Sequence, residues 1–151
     1  EYFYRFTVAG EESQVGRTVT TPAQNANVNS IKFAVASCQH YEHGYFTAYR
    51  DMIAHDPELI FHLGDYIYEY RISRAPVRRH PIEEAYDLAD YRALHAAYKM
   101  DPDLQAAHAY APFVCTWDDH EVENNYANDQ PEFGEPSETF VRRRTAAYRA
   151  Y

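Results

Sequence analysis

Three short apolar segments of the chain each end directly before side chains that can bind metal ions. The segments cover residues 31–36, 59–63 and 112–117. Thiolate, phenolate, carboxylate and imidazole groups are all metal ligands, and imidazole also transfers protons. A single ionisable residue at the end of a strand is common, whereas three successive sets predict a shared site. The side chains that follow the segments are Cys38, then Asp65 and Tyr68, then Asp118, Asp119, His120, Glu121, Asn124 and Asn125.

The chemistry of these side chains predicts a transition metal beside a second cation. The two carboxylate oxygens of Asp65 can bridge two ions. A phenolate from Tyr68 suits Fe(III), and a thiolate from Cys38 favours a transition metal over magnesium or calcium. Asp119 and the two asparagines that follow it offer oxygen donors of the kind that Ca(II) takes. Two cations held a few ångströms apart can clamp a phosphate group.

The third set leaves several assignments open. His120 either binds a metal or donates a proton to a leaving oxygen. Between the two neighbouring aspartates, Asp119 is preferred as the ligand, and Asp118 is then an outer or turn residue. The residues considered for indirect support or for substrate contact are Asp118, Glu121, Asn124 and Asn125.

Structural roles compete with each of these functional interpretations. A cysteine such as Cys38 is usually a small buried apolar residue, and a disulfide to Cys115 would remove its thiolate. Tyr68 is one of 15 tyrosines, most of which we expect to pack in the interior. Asp65 could cap a turn, and the two asparagines are common turn formers.

The elements around these residues predict an α/β fold. Helical periodicity covers residues 44–55, and Asp56-Pro57 ends that helix. Further helices are predicted over residues 87–99 and 101–108, and Ser137 is a candidate cap for a last one. Strands that alternate with helices form parallel sheets, and chemistry then lies at the carboxyl ends of the strands.

The chain divides into three predicted parts. Residues 1–22 alternate like the last strands of a small β domain, residues 23–30 form a polar linker, and residues 31–151 form the α/β part. The formal net charge of -9 argues against a general nucleic-acid binder, while bound cations would supply local positive charge. No apolar run of about 18 residues predicts a membrane span. Both ends interrupt a pattern, so we interpret the chain as an internal fragment.

The motifs resemble those of a known enzyme superfamily. Residues 64–68 form a GDxxY box, and residues 117–121 lie where a GNHE box is expected, as in calcineurin-like metallophosphoesterases. The wider set is similar to PhoD-type alkaline phosphatases and phosphodiesterases. The segments that carry this second resemblance are 36–39, 41–46, 62–69, 90–92 and 116–126.

The resemblance implies a metal-dependent hydrolase of phosphate monoesters and diesters. Cys38, Asp65 and Tyr68 match iron ligands, Asp119 matches a ligand of the second metal, and His120 lies beside the phosphate. Fe(III) and Ca(II) are the implied cofactors, although other divalent metals are compatible. The implied fold is an incomplete calcineurin-like core of sheet and flanking helices, which follows the end of an N-terminal β-sandwich. Later ligands of the family are absent, so we expect the fragment to be inactive alone.

The resemblance also implies an extracellular or periplasmic enzyme and a monomer. Its expected substrates are small phosphate esters, including diesters from nucleic acid or teichoic acid breakdown. Two alternatives remain at this point. One is a non-catalytic, calcium-binding extracellular module, which would be indifferent to the loss of Cys38. The other is a related hydrolase with two different divalent metals.

Overall fold

The N-terminal part forms two small antiparallel ladders. The computed structural model describes residues 1–72, 74–134 and 137–151, so Ser73, Glu135 and Pro136 lie outside the described residues. Strand β1 pairs with β4, and β2 pairs with β3. The alternating pattern of residues 1–8 is therefore split between two ladders instead of forming one strand. The strands are β1 (Tyr2–Tyr4), β2 (Thr7–Val8), β3 (Glu11–Glu12) and β4 (Gly16–Thr18).

A parallel sheet of three strands follows, in the order β5-β6-β7. The two pairings place Val35 beside Phe61 and Phe61 beside Val114. Parallel pairing directs all three carboxyl ends to one edge, as predicted for an α/β fold. The strands are β5 (Phe33–Ala36), β6 (Leu59–His62) and β7 (Phe113–Cys115).

Capping residues set the start of two helices. The Asp87 carboxylate accepts hydrogen bonds from the backbone N–H groups of Ala89 and Asp90, and the Asp90 side chain completes a capping box. Asp101 accepts from the N–H groups of the next first turn, which has Pro102 at its first position. The helices are α1 (Ala48–Ala54), α2 (Leu88–Lys99), α3 (Pro102–Tyr110) and α4 (Ser137–Ala150).

Two predicted helix boundaries were wrong. Helix α1 begins at Ala48 instead of residue 44, because Gly44 is extended, with φ 171 and ψ -173, after a 3-10 turn over Tyr41–His43. The N–H of Phe46 donates to the Asp101 carboxylate, so side-chain bonding replaces the predicted first turn. Ser137 is the first residue inside α4, and not a flanking cap.

The main core lies on one face of the parallel sheet. Ile60, Tyr91, Leu94, Tyr98 and Leu104 are completely buried there, between the sheet and the helices. On the opposite face, the side chains of β5 and β7 are about half exposed: Phe33 53%, Val35 50% and Val114 51%. The helices therefore support the strands from one face of the sheet. The site lies at the edge where the carboxyl ends of the strands meet.

Candidate metal centre

Backbone hydrogen bonds tie the segments that follow β5 and β6 together. The N–H of Cys38 donates to the carbonyl of Gly64 at 3.2 Å, and the N–H of Gln39 donates to that of Asp65 at 3.1 Å. After β7, the N–H of Thr116 donates to the carbonyl of His62 at 3.0 Å. The three segments that were predicted to share a site therefore meet at one edge of the sheet.

Left-handed backbone conformations aim the side chains at this edge. Cys38 has φ 56, Asp65 has φ 52 and Gly64 has φ 107. Non-glycine residues rarely adopt positive φ, and such strain is typical of functional sites. At Gly64 a Cβ atom would lie 2.5 Å from the Cβ of Asp118, so only glycine allows the two segments to approach so closely.

Glu121 holds the second and third segments in register. Its buried carboxylate accepts hydrogen bonds from the N–H of Asp65 at 3.0 Å, of Asp118 at 2.7 Å and of Tyr66. Burial raises the pKa of Glu121 and the neighbouring charge of Asp65 adds to the rise, while the three N–H donors offset part of it. Both oxygens of Glu121 thus bind backbone N–H groups next to Asp65, which fits a supporting role for this residue.

Asp65, Asp119 and His120 form the candidate metal site. One ligand atom of each lies within 4.8 Å of the others, and among the described residues no other group of three or more histidine, cysteine or acidic side chains is so close. Oδ1 of Asp65 is buried without a hydrogen-bond partner. A buried charged oxygen is costly unless it is paired, so the geometry suits a bound cation.

Tyr68 lies directly beside this group. Its hydroxyl donates to Oδ2 of Asp65 at 3.0 Å. Burial, this hydrogen bond and the nearby charges of Asp65 and Cys38 raise the pKa of Tyr68, so the phenol keeps its proton unless a cation replaces that proton. Cys38 is exposed and has a free thiol, as does Cys115, and it lies outside the close three-residue group.

Asp118, Asn124 and Asn125 surround the site without joining the group of three. Asp118 is exposed and packs against Gly64, whereas its neighbour Asp119 joins the cluster. The N–H of Asn125 donates to Oδ2 of Asp119 at 2.6 Å. The side-chain amides of both asparagines donate to the carboxylate of Glu132, at 2.9 Å from Asn125. The asparagines therefore orient the loop that carries Asp119.

His120 has a carboxylate partner that was not predicted from the sequence. Its Nδ1 lies 2.8 Å from Oε2 of Glu69, and both side chains are buried. Burial lowers the pKa of His120, but the hydrogen bond to Glu69 and the nearby aspartates outweigh burial and raise it. Glu69 lies four residues after Asp65, within the quoted motif, so the sequence signal was its position in this loop.

Comparisons with known proteins each find a match to this chain. Residues 33–151 match a family model described as PhoD-like phosphatase. The chain is 56% identical over 155 residues to "Alkaline phosphatase D" of Bacillus subtilis (strain 168), a match that covers 99% of the chain and 27% of that protein. The solved "Structure of PhoD" matches with a TM-score of 0.94 and 55% identity, over 99% of the chain and 30% of the solved one.

The matched relatives are much longer than the chain, which spans 27% of the curated relative and 30% of the solved structure. Among the described residues, no helix is both long and apolar enough to cross a membrane. The family model nevertheless covers most of the chain, including every residue of the candidate centre. The chain belongs to the PhoD-like phosphatase family.

Proposed function

We propose that this chain carries part of the catalytic centre of a metal-dependent hydrolase of phosphate monoesters and diesters. The observation that supports this most directly is the buried Oδ1 of Asp65, which has no hydrogen-bond partner and lies in one cluster with Asp119 and His120. A single bound cation would pair this oxygen. The family match and the curated name of the relative supply the reaction class.

The side chains at the centre fit the proposed Fe(III) and Ca(II). Asp65, Tyr68 and Cys38 would hold the iron, because carboxylate, phenolate and thiolate are all ligands of transition metals. Asp119 would hold calcium through a carboxylate oxygen. When bound, the cations would neutralise the charge that builds up on the phosphate oxygens.

The protein's own groups would then orient the reactants and move one proton. The Glu121 carboxylate holds the backbone of Asp65, and the N–H of Asn125 holds Asp119, so both ligands are fixed before substrate arrives. His120 lies within 4.8 Å of both aspartates, where it would donate a proton to the leaving oxygen of the ester.

The expected setting of this reaction rests on the family. We propose diesters from nucleic acid or teichoic acid as substrates, an extracellular or periplasmic location and a monomeric protein. The proposed architecture is a calcineurin-like core over residues 31–151, a linker over residues 23–30 and the end of a β-sandwich over residues 1–22. The parallel sheet, the small antiparallel ladders and the relative's name support these assignments.

The test compares the wild-type chain with Asp65→Asn, in the chain itself and in the full reading frame that encodes it. Hydrolysis of a chromogenic phosphodiester and a monoester is measured with iron and calcium present. We expect Asp65→Asn to lower turnover at least about 100-fold, since removal of a group that only supports a metal ligand already costs about 10- to 100-fold. With chelator present, urea unfolding should show that the free energy of unfolding of the same variant is about 1 kcal/mol higher than that of wild type, because an unpaired buried charge is gone.

The matched control is Asp51→Asn, which changes an exposed aspartate on α1. It should leave turnover and stability unchanged. Equal turnover of wild type and Asp65→Asn in the full reading frame, with metals bound in the wild type, would contradict the proposal. Calcium binding without hydrolysis in the full reading frame would instead favour the calcium-binding module.

A further inference from the structure

We propose that a cavity beside the candidate metal centre binds the base of a nucleoside, so that nucleotide diesters are preferred over diesters of glycerol or ribitol. The cavity has a volume of about 340 Å³ and shares Asp119 with the cluster that would bind metal. The preference among substrates rests on the proposed function, whereas the ability of the cavity to bind a nucleoside does not.

Two elements that are adjacent in space form the walls of this cavity. Trp117 comes two residues after β7, directly before the two aspartates of the third segment. Arg144 and Tyr148 lie four positions apart on α4, so they project from the same face of that helix. The ring centroids of Trp117 and Tyr148 are 5.5 Å apart, so the two elements meet at the cavity.

The aromatic rings of the cavity keep much of their surface open. Trp117 is 53% exposed and Tyr148 is 45% exposed. The planes of the two rings are inclined by 39°, so they do not stack flat on each other. The hydroxyl groups of Tyr148 and Tyr126 are hydrogen-bonded at 2.9 Å, and the Tyr126 ring packs on the completely buried Phe140. The core therefore positions Tyr148 indirectly, while ring surface remains for a planar ligand.

An anchored cation lines the same cavity. Nη1 of Arg144 donates to the backbone carbonyl of Asn128 and, at 3.2 Å, to its side-chain oxygen. Asn128 has φ 57 and lies in a turn that two backbone hydrogen bonds between Ala127 and Gln130 close, at 2.9 and 3.0 Å. A guanidinium group stacks on bases and donates hydrogen bonds to their acceptor atoms. Arg144 therefore suits a nucleobase and repels a positively charged substituent.

These features favour a nucleobase over other substituents of a phosphodiester. Stacking on aromatic rings requires a flat π surface, which nucleobases have and glycerol or ribitol lacks. The cavity lies within the range of about 300–1,000 Å³ that is usual for small-molecule pockets. A diester whose phosphate lies at Asp119 has its substituents next to Trp117, two positions earlier in the chain. The base of a nucleotide would thus reach the exposed ring surface.

Fluorescence measures this binding directly, because Trp117 is the only tryptophan of the 151-residue chain. The chain is titrated with adenosine in chelator, since a neutral nucleoside requires no metal and is not repelled by the neighbouring aspartates. We expect saturable quenching in wild type and in the control Phe3→Leu, which removes a 68% exposed ring from β1. Tyr148→Leu should weaken adenosine binding about 10-fold. Quenching that only rises linearly with adenosine, or equal binding by Tyr148→Leu, would overturn the proposal.

Hydrolysis in the full reading frame tests the preference among substrates. The methyl phosphodiesters of adenosine and of glycerol are compared with iron and calcium present, and the products are separated by chromatography. We expect Trp117→Leu to lower kcat/KM about 10-fold for the adenosine diester, mainly through KM, and to change it less than about 2-fold for the glycerol diester. Trp117→Phe, which keeps a ring, should recover part of the loss, and Phe3→Leu should change neither value.

The two measurements separate the possible failures. Equal losses for both diesters in Trp117→Leu would show that this ring supports the metal ligands and not a base, and this would overturn the proposal. A wild type that prefers the glycerol diester would also overturn it and would favour a teichoic acid substituent. An inactive wild type would contradict the proposed function alone, because adenosine quenching in the 151-residue chain still decides whether the cavity binds a nucleoside.

Discussion

Two completely or nearly completely buried glutamates fasten backbone segments in different parts of the molecule. Glu42 accepts hydrogen bonds from the N–H groups of Ile72 at 2.7 Å and His80 at 2.9 Å, and so holds two points of the loop that follows Tyr70. Glu121 does the same for the segments after β6 and β7. The two carboxylates therefore have the same structural role, which is to hold two backbone segments together.

Their electrostatic surroundings differ. Burial raises the pKa of Glu42, but hydrogen bonds from His80 and Ile72 and the charge of Arg79, 3.8 Å away, outweigh it and lower the pKa. Burial also raises the pKa of Glu121, and there the charge of Asp65 adds to the rise, so the pKa stays raised.

The two glutamates differ because only the surroundings of Glu42 contain arginine side chains that balance its charge. The Glu42 region contains its own cations, which include Arg78 paired with Asp101 at 2.7 Å. The Glu121 region contains Asp65, whose Oδ1 is the only carboxylate oxygen among the buried, unpartnered side-chain atoms of the described residues. Carboxylates collected in this way are tolerated where a bound cation completes the site.

The largest effect is expected from Gly64→Ala, which would push apart the segments at Gly64 and Asp118 that Glu121 holds together. The new Cβ would lie 2.5 Å from the Cβ of Asp118, at a residue with φ 107. We expect a loss of about 4 kcal/mol in the free energy of unfolding, from clash and backbone strain together. Urea unfolding with chelator measures this loss.

Gly10→Ala is the matched control for that substitution. Gly10 also has positive φ, 89, but a Cβ there would meet no atom within 4 Å. Gly10→Ala should lower the free energy of unfolding by only about 1 kcal/mol, because it introduces backbone strain but no clash. Equal losses at the two glycines would mean that the close approach of Gly64 and Asp118 contributes nothing.

A smaller effect concerns one buried histidine in each region. Burial lowers the pKa of both His62 and His80 to about 4, below the ordinary 6.5. Each neutral ring thus favours folding above pH 6.5, and this contribution is lost progressively as the pH falls from 6.5 to 4. From pH 7.5 to pH 5, His62→Leu and His80→Leu should each gain about 2 kcal/mol relative to wild type.

The baselines of these two variants should differ at pH 7.5. His80 bonds to the carbonyl of Tyr70 and the hydroxyl of Tyr98, so its replacement should cost about 2 kcal/mol. Neither ring nitrogen of His62 has a hydrogen-bond partner, so His62→Leu should cost nothing or stabilise the chain. Guanidinium or urea unfolding at both pH values checks these signs, and a pH-independent difference from wild type would refute them.

Much of the candidate centre was predictable because its candidate ligands follow strand ends. Asp65, Asp119 and His120 each come directly after an apolar segment, and parallel pairing brings such positions to one edge. The three strands and the starting positions of α2 and α3 were predicted for similarly local reasons. Local sequence patterns suffice where one residue and its neighbours determine the result.

The supporting carboxylates were harder to predict because their partners are distant in sequence. Glu69 meets His120 across 51 positions, and Glu42 meets His80 across 38. Glu121 was considered, but its three backbone partners could not be inferred from composition or spacing. Which buried charge pairs with which backbone segment depends on the tertiary fold, and no local pattern encodes it.

The smallest effect compares the two glutamates directly, through Glu42→Gln and Glu121→Gln in chelator. Both variants keep the shape but place an NH2 group against a backbone donor, so both should destabilise. At pH 7, Glu42→Gln should cost about 1 kcal/mol more, because only Glu42 loses an attractive partner, Arg79. Urea unfolding at pH 7 and pH 5 measures the difference.

The difference in free energy of unfolding between the two variants should shrink or change sign when the pH falls from 7 to 5. The lowered pKa of Glu42 gives stability that is present above the ordinary value of 4.5 and is lost only below it, so its cost should stay constant from pH 7 to pH 5. The raised pKa of Glu121 means that wild type gains stability as the pH falls through the folded pKa. The cost of Glu121→Gln should therefore grow toward pH 5, and a constant cost would show that Asp65 does not repel Glu121.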